Sequence, residues 1–262
     1  MSRPMLKSHI HLAWELALRD LRGRYVGSSL GLVWAFLQPL LQLLLFTFVF
    51  STVLKISLAG ERGVESFPLF LFAGLLPWMG LNEMVQRSTT ALVEQSNLIK
   101  KMAFPPQLLI AGILISGLIH QALAAVVFLV VLAFTGHLSW AALALPLLMG
   151  LQIVLIAGFC LLGAALQVFF RDTAQLVSYG LMVLFYGTPI VYPLSLINDP
   201  TLLSVLRGNP VTALVEAFRD ILLRGTLPEA GAVIQVLAWG GVALGCGIIL
   251  FWKWRPEFAD AL

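Results

Sequence analysis

LLIAGILISGLIHQALAAVVFLVVLAFT, residues 108–135, holds twenty-eight positions without one Asp, Glu, Lys or Arg. The apolar residues are continuous rather than alternating, and the run is far longer than a barrel strand of about 10 residues. Hydrocarbon offers the backbone no hydrogen bonds, so a segment of this kind closes its own as a helix. Immediately before it stands VEQSNLIKKMAFPP, residues 93–106, with one acid, two adjacent lysines and two prolines. The alternation of long apolar runs with short charged segments recurs along the chain and sets its class: an all-α integral membrane protein.

Composition agrees. The 262 residues are 60% hydrophobic and 11% charged, with a mean hydropathy of +0.95. Soluble domains carry about 25% charged residues. Six spans are expected, at 30–54, 67–85, 108–135, 140–170, 174–192 and 232–253, in a single membrane domain covering 1–262. Each is near or above the ~20 residues that cross a bilayer. Cys160 and Cys246 fall in separate apolar runs, where a disulfide is not expected. The opening MSRPMLKSHIH lacks the core of a secretory signal peptide, so the first span is expected to serve as the membrane address. A net charge of +3, spread along the chain, excludes a nucleic-acid surface.

An even number of spans puts both termini on one side. With them inside, eleven of the sixteen Lys and Arg face the cytoplasm; Lys55, Arg62, Arg207, Arg219 and Arg224 face out. The bias favours cytoplasmic termini and a cytoplasmic residue 93–106 segment.

Three segments are not spans. In residues 9–25, Trp14, Leu18, Leu21 and Tyr25 share one helical face, while Glu15, Arg19 and Arg22 lie on another. Glu15–Arg19 and Asp20–Arg24 have the favourable i, i+4 spacing. This is an amphipathic interface helix, either a membrane anchor or a contact for another protein. In 94–104, Ser96 or Asn97 can cap a short helix that Phe104-Pro105-Pro106 ends. Its length exceeds that of an ordinary connection, which suits docking. In 193–231, NPVTALVEAFRDILLRG has Asn209 as cap, Pro210 at the first position and Gly225 as stop. Leu214, Ala217, Phe218, Ile221 and Leu222 form its apolar face; Glu216, Arg219, Asp220 and Arg224 form the polar one. It is too charged to span, and is expected in the outer interface or partly inserted under protein cover. The short link carrying Arg171 and Asp172 reads as a topology-fixing turn or a second contact.

Catalytic signatures are scarce. No Gly-Lys dipeptide exists, which excludes a P-loop. Gly27-Ser28-Ser29-Leu30-Gly31 matches the serine-hydrolase elbow GxSxG, but at a membrane-helix entrance rather than a strand–turn–helix. The same stretch and Gly241–Gly245 fit the helix-packing pattern GxxxG. The four histidines have no metal-ligand spacing. Glu83 with Asn82, and His120 with Gln121, are polar groups at membrane depth, the latter pair suited to hydrogen bonding between helices. Aromatics gather in the first, second and fifth spans, among them Trp34, Phe46, Phe50, Trp78, Tyr186 and Tyr192; flat rings with polar tips suit sugars or a membrane interface.

RDLRGRYVGSSLGLVWAFLQPLLQLLLFTFVF, LFAGLLPWMGLNE, NLIKKMAFPPQLL and VFFRDTAQLVSYGLMVLFYGTPIVYPLS occur here in order, followed by NPVTALVEAFRDILL. Together they resemble the membrane subunits of ABC-2 type polysaccharide exporters, such as O-antigen, teichoic-acid and capsule permeases. The resemblance implies a homodimer over two copies of a separate ATPase, which alone holds ATP and Mg, in the bacterial inner membrane. It implies that 9–25 is the interface helix, with Trp14, Arg19, Arg22 and Arg24 near lipid head groups. Residues 94–104 would be the coupling helix, with Glu94, Ser96, Asn97, Lys100 and Lys101 facing the ATPase and Arg171 and Asp172 a smaller contact. Trp34, Phe46, Phe50, Trp78, Tyr186 and Tyr192 would line the path of a lipid-linked polysaccharide, and Asn209, Pro210, Phe218 and Arg219 would belong to an external gate. No cofactor is expected on this chain. Drug or lipid export through the same topology, and an intramembrane serine hydrolase, are the other readings.

Overall fold

The computed structural model describes residues 3–25, 30–31, 33–53, 66–102 and 104–262; Gly27, Ser28 and Ser29 lie outside them, as does the side chain of Lys101. Helix α1 is Arg3–Tyr25, α2 is Val33–Phe46 with a wider π turn to Val53, and α3 is Phe67–Glu94. Then come α4 (Ser96–Met102), α5 (Gln107–Phe134), α6 (Leu145–Phe169) and α7 (Thr173–Tyr186). Helices α8 (Pro200–Gly208), α9 (Pro210–Arg219, with a π turn to Arg224), α10 (Ala230–Trp254) and α11 (Phe258–Ala261) complete the described chain.

Among the described residues, five helices are long and apolar enough to cross a membrane: Val33–Val53, Phe67–Glu94, Gln107–Phe134, Trp140–Phe169 and Ala230–Ala261. The expected fifth span, 174–192, takes another form. Its helix stops after 14 residues at Tyr186, about 21 Å against about 30 Å of hydrocarbon. Gly187-Thr188-Pro189 ends it, since the residue before a proline is pushed out of the helical region. The second expected span is longer than its apolar run: α3 continues through Arg87 to Glu94.

Helix α3 is the centre of the bundle, packed on α5, α6, α7 and α9, while α10 lies along α6. Close approach of α6 and α10 depends on glycine. A Cβ at Gly158 would run into the Ala243–Leu244 backbone, and one at Gly247 would stand 2.7 Å from the Gly158 carbonyl oxygen. The expected packing pair, Gly241 and Gly245, has open space instead. Gly240 and Gly247 occupy the contact face; the GxxxG match was one residue out of phase, on a stripe turned away from protein.

Candidate functional site

One end of the bundle collects the segments expected to meet a partner. The α3 helix turns at Gln95, whose carbonyl accepts from the amides of Leu98 and Ile99 at 2.9 and 3.4 Å. Helix α4 therefore opens at Ser96, earlier than a cap at Ser96 or Asn97 would place it. Ile99 is buried; Glu94, Asn97 and Lys100 are exposed and Ser96 is half-buried. Beside α4 lies α11, a segment to which the sequence reading gave no role. Its Phe258 packs 6.1 Å from Phe169, and Trp254 lies 4.9 Å from Phe169 and 6.4 Å from Phe170. The exposed Arg171–Asp172 turn follows directly. Both candidate contact segments thus flank the C-terminal helix.

Helix α1 joins the same end through a face to which the sequence assigned no contact. Ala13 and Ala17 are buried, and a Cβ at Gly112 of α5 would stand 3.0 Å from Leu16 Cβ. Small residues bring α1 and α5 together, leaving Trp14, Glu15, Arg19 and Arg22 exposed. Arg24, grouped with Arg19 and Arg22 as a head-group contact, points elsewhere. It pairs with Glu83 and, at 3.4 Å, with Asp20. Arg87 of α3 also pairs with Asp20, its Nη1 donating to Oδ2 at 2.9 Å, while Ser116 of α5 donates to that oxygen at 2.6 Å. Burial opposes the Asp20 carboxylate, yet hydrogen bonds from Arg87 and Ser116 and the charges of Arg87 and Arg24 outweigh it and hold its pKa below the ordinary 3.8.

This four-charge cluster borders a cleft of about 580 Å3 between α1, α3, α4 and α5, lined also by Arg19, Thr90, Glu94, Gln95 and Leu98. The sequence marked Glu83 as a suspect and paired Asp20 with Arg24. It carried no signal joining them across 63 residues.

Deeper in the bundle, Gln121 Nε2 donates to Gln152 Oε1 at 2.9 Å, and Gln152 Nε2 donates to the Pro77 carbonyl at 3.1 Å. Gly80 makes the room, because a Cβ there would overlap Gln121 Oε1. The expected inter-helix bond at Gln121 is therefore present, and the partner it could not name is Gln152. His120 lines a smaller cavity with Gln38, Asn82 and Glu83.

The candidate path residues fall into two groups. Trp34 is exposed on α2, while Phe46 and Phe50 meet edge to face at 6.2 Å and Phe50 meets Phe67 at 4.8 Å. Trp78 is buried under Phe185 at 5.4 Å; Phe185 contacts the exposed Tyr186 at 5.3 Å, and Tyr192 Oη donates to the Tyr186 carbonyl at 3.0 Å. Trp78, Tyr186, Phe185, Asn82, Gln86 and Ser178 share an open cleft between α3 and α7, a polar and aromatic wall.

At the opposite end of α3, Asn209 Oδ1 accepts from the Val211 amide at 2.9 Å, and Gly225 ends the helix with φ 69°. The cap, Pro210 and the stop are as the sequence indicated. Phe218 is fully buried, as its apolar face requires, but Arg219 is too, with no exposed surface. The other charges of the expected polar face are half-buried and satisfy one another: Glu216 pairs with Arg219 at 2.7 Å and Arg224 at 2.9 Å, and Arg224 with Asp220 at 2.7 Å.

Among the described residues no group of three His, Cys, Asp or Glu could hold a metal ion. A family model described as "ABC-2 type transporter" matches residues 11–223. The chain is similar to the O-antigen export system permease protein RfbA of Myxococcus xanthus, 30% identical over 95% of this chain and 94% of that one. It is similar to the protein of the same name from Klebsiella pneumoniae, 30% identical over 93% and 92%. The polysialic acid transport protein KpsM of Escherichia coli is 26% identical over 90% of each chain. A match of this extent, on a bundle whose charged segments gather at its ends, makes the chain a membrane permease of the ABC-2 type transporter family, related to the O-antigen and capsule export permeases.

Proposed function

We propose that this chain is the membrane permease of an ATP-driven exporter of a lipid-linked polysaccharide, most closely an O-antigen, in the bacterial inner membrane with both termini cytoplasmic. The supporting observation for a partner ATPase is the gathering of α4, the Arg171–Asp172 turn, α11 and α1 at one end of α3, with Glu94, Asn97 and Lys100 exposed. Relatives named for O-antigen export and for polysialic acid transport both cover at least nine-tenths of the chain and support a polysaccharide cargo.

Two copies of the chain would stand over two copies of the ATPase, which holds ATP and Mg. Closure of the ATPase pair pushes α4 and α1. The lipid head enters near Arg19 and Arg22, whose guanidinium groups suit phosphate, while Arg24 stays in its ion pairs. The polymer then slides along the Trp78–Tyr186 wall and the exposed ring of Trp34, and leaves past α8 and α9. Tight burial of Gly80 and Gln121 between helices leaves the passage to be formed by the exposed faces of α2 and α7, where Val33, Trp34, Leu41, Tyr179 and Val183 lack cover within one chain.

Vesicles holding this chain and its ATPase are expected to move lipid-linked glycan upon ATP addition. Hydrolysis without movement overturns the cargo assignment; movement of a drug or plain phospholipid instead favours the drug or lipid reading, and lost activity in Ser28→Ala or Ser29→Ala favours the hydrolase. Lys100→Glu is expected to weaken ATPase binding roughly tenfold, a charge-assisted contact's worth, with insertion unchanged. Equal affinity would leave α4 a plain connection.

A further inference from the structure

The break after α7 leaves backbone carbonyls without helical partners, those of Pro189 and Ile190 buried, and two side chains of the α9 region reach them. Asn209 Nδ2 donates to the Gly187 carbonyl at 3.2 Å and to Thr188 Oγ1 at 3.0 Å. Ten residues later, Arg219 Nη1 donates to the Pro189 carbonyl at 2.7 Å and Nη2 to that of Ile190 at 2.8 Å. An unpaired carbonyl at this depth is costly, and so is an unpaired guanidinium. Here each satisfies the other.

The guanidinium is also seated in α3. Its central carbon lies 3.5 Å from the centre of the Phe70 ring, a cation over an aromatic face. One turn on, and therefore on the same face of α3, Gly74 leaves the space it fills: a Cβ there would stand 2.8 Å from Arg219 Nη2. Glu216 supplies the countercharge from within α9 at 2.7 Å. A single side chain thus ties three elements: the broken end of α7, the helix α9 and the first turns of α3. The other end of α3, 28 residues long and about 42 Å from start to finish, passes at Gln95 into α4.

We infer that Arg219 is a positioning residue that locks the α7 break and α9 onto α3, so that a displacement delivered through α4 moves the far end of the bundle with it. Arginine is required for its fork, since two divergent carbonyls and a carboxylate are gripped while the flat face stacks on Phe70; a lysine ammonium offers no plane to stack. The consequence for export rests on the reading of the chain as a transporter. The linkage itself rests on geometry.

The test uses the full chain in its complex with the ATPase, comparing wild type, Arg219→Gln, Arg219→Lys and Gly74→Ala; the last crowds the guanidinium without removing it. In Arg219→Gln, amide exchange across 187–193 and 210–224 is expected to quicken by roughly tenfold or more, with α6 and α10 unchanged. Arg219→Lys and Gly74→Ala should fall between. Translocation per ATP hydrolysed should drop by about tenfold while hydrolysis stays within about twofold. Unchanged exchange at 187–193 in both Arg219→Gln and Gly74→Ala overturns the linkage. Hydrolysis and translocation falling together, in proportion to lost complex, reduce Arg219 to a folding residue and overturn the positioning role. If Arg219→Gln does not fold, the other two variants decide the same questions. If the wild type moves no glycan, the cargo reading fails, and exchange alone decides the linkage.

Discussion

Helices α3 and α10 are solved by opposite rules. α3 is the least apolar of the five membrane-length helices, yet 83% of its most apolar stretch is buried; the more apolar α10 is 17% buried. In water the order would be reversed. Lipid tails solvate leucine as well as a protein core does, so apolar side chains gain little by turning inward, whereas polar ones gain partners. α3 presents Glu83 and Arg87 to its neighbours and receives Gln152 and Arg219. α10 sends Ile234, Trp239, Val242 and Ile249 outward and touches α6 through glycine.

The sharpest way to break this contrast is on the stripe where α6 meets α10. Gly158→Leu drives a side chain into the Ala243–Leu244 backbone, which cannot give way as a side-chain tip could. It is expected to cost about 3 kcal/mol or more, read as thermal unfolding in detergent, while Gly245→Leu, facing open space, should shift stability by less than about 0.5 kcal/mol. Equal sensitivity would mean that α10 has no lipid-facing side.

The next effect belongs to the ion cluster around α3. Asp20→Asn and Arg87→Gln, combined in a double-mutant cycle, should show a coupling of about 2 kcal/mol. Additive losses would reduce the cluster to a surface ornament. Asp20 also sets a pH signature. Its folded pKa lies below 3.8, so its contribution is complete above the ordinary carboxylate value and disappears as pH falls through the lower folded one. Asp20→Asn should remove that acid-side loss from the unfolding profile.

The smallest effect is expected at the Gln121–Gln152 pair. Either glutamine changed alone to leucine takes a hydrogen-bond partner from the other and should cost about 1 kcal/mol; the double change should return close to wild type. A double variant less stable than both singles would show that Gln152's bond to the Pro77 carbonyl matters more than the pair.

Much of this architecture was legible because its signals are local. Apolar length marked the membrane helices, and Asn209, Pro210 and Gly225 marked α9 to the residue, since caps, a first-turn proline and a left-handed stop act within a few positions. The stop of α7 is local too, written in Gly187-Thr188-Pro189, but the apolar run continues past it and masks it. Facing was not. Trp14, Leu18 and Leu21 form a genuine stripe on α1, yet Ala13 and Ala17 meet α5, because close approach rewards smallness rather than apolarity.

By itself, then, the sequence determined that this is a helical membrane permease, where α9 begins and stops, and that short charged segments punctuate its apolar runs. Periodicity, capping and hydropathy are properties of neighbouring residues, and one chain displays them without folding. The tertiary structure alone decided that Arg24 turns inward to Glu83, that Gln121 finds Gln152, and that Arg219 enters the bundle instead of facing water. In a low-dielectric interior a polar group's place is set by the partner that satisfies it, and those partners lie 31, 59 and as many as 149 positions away in the chain.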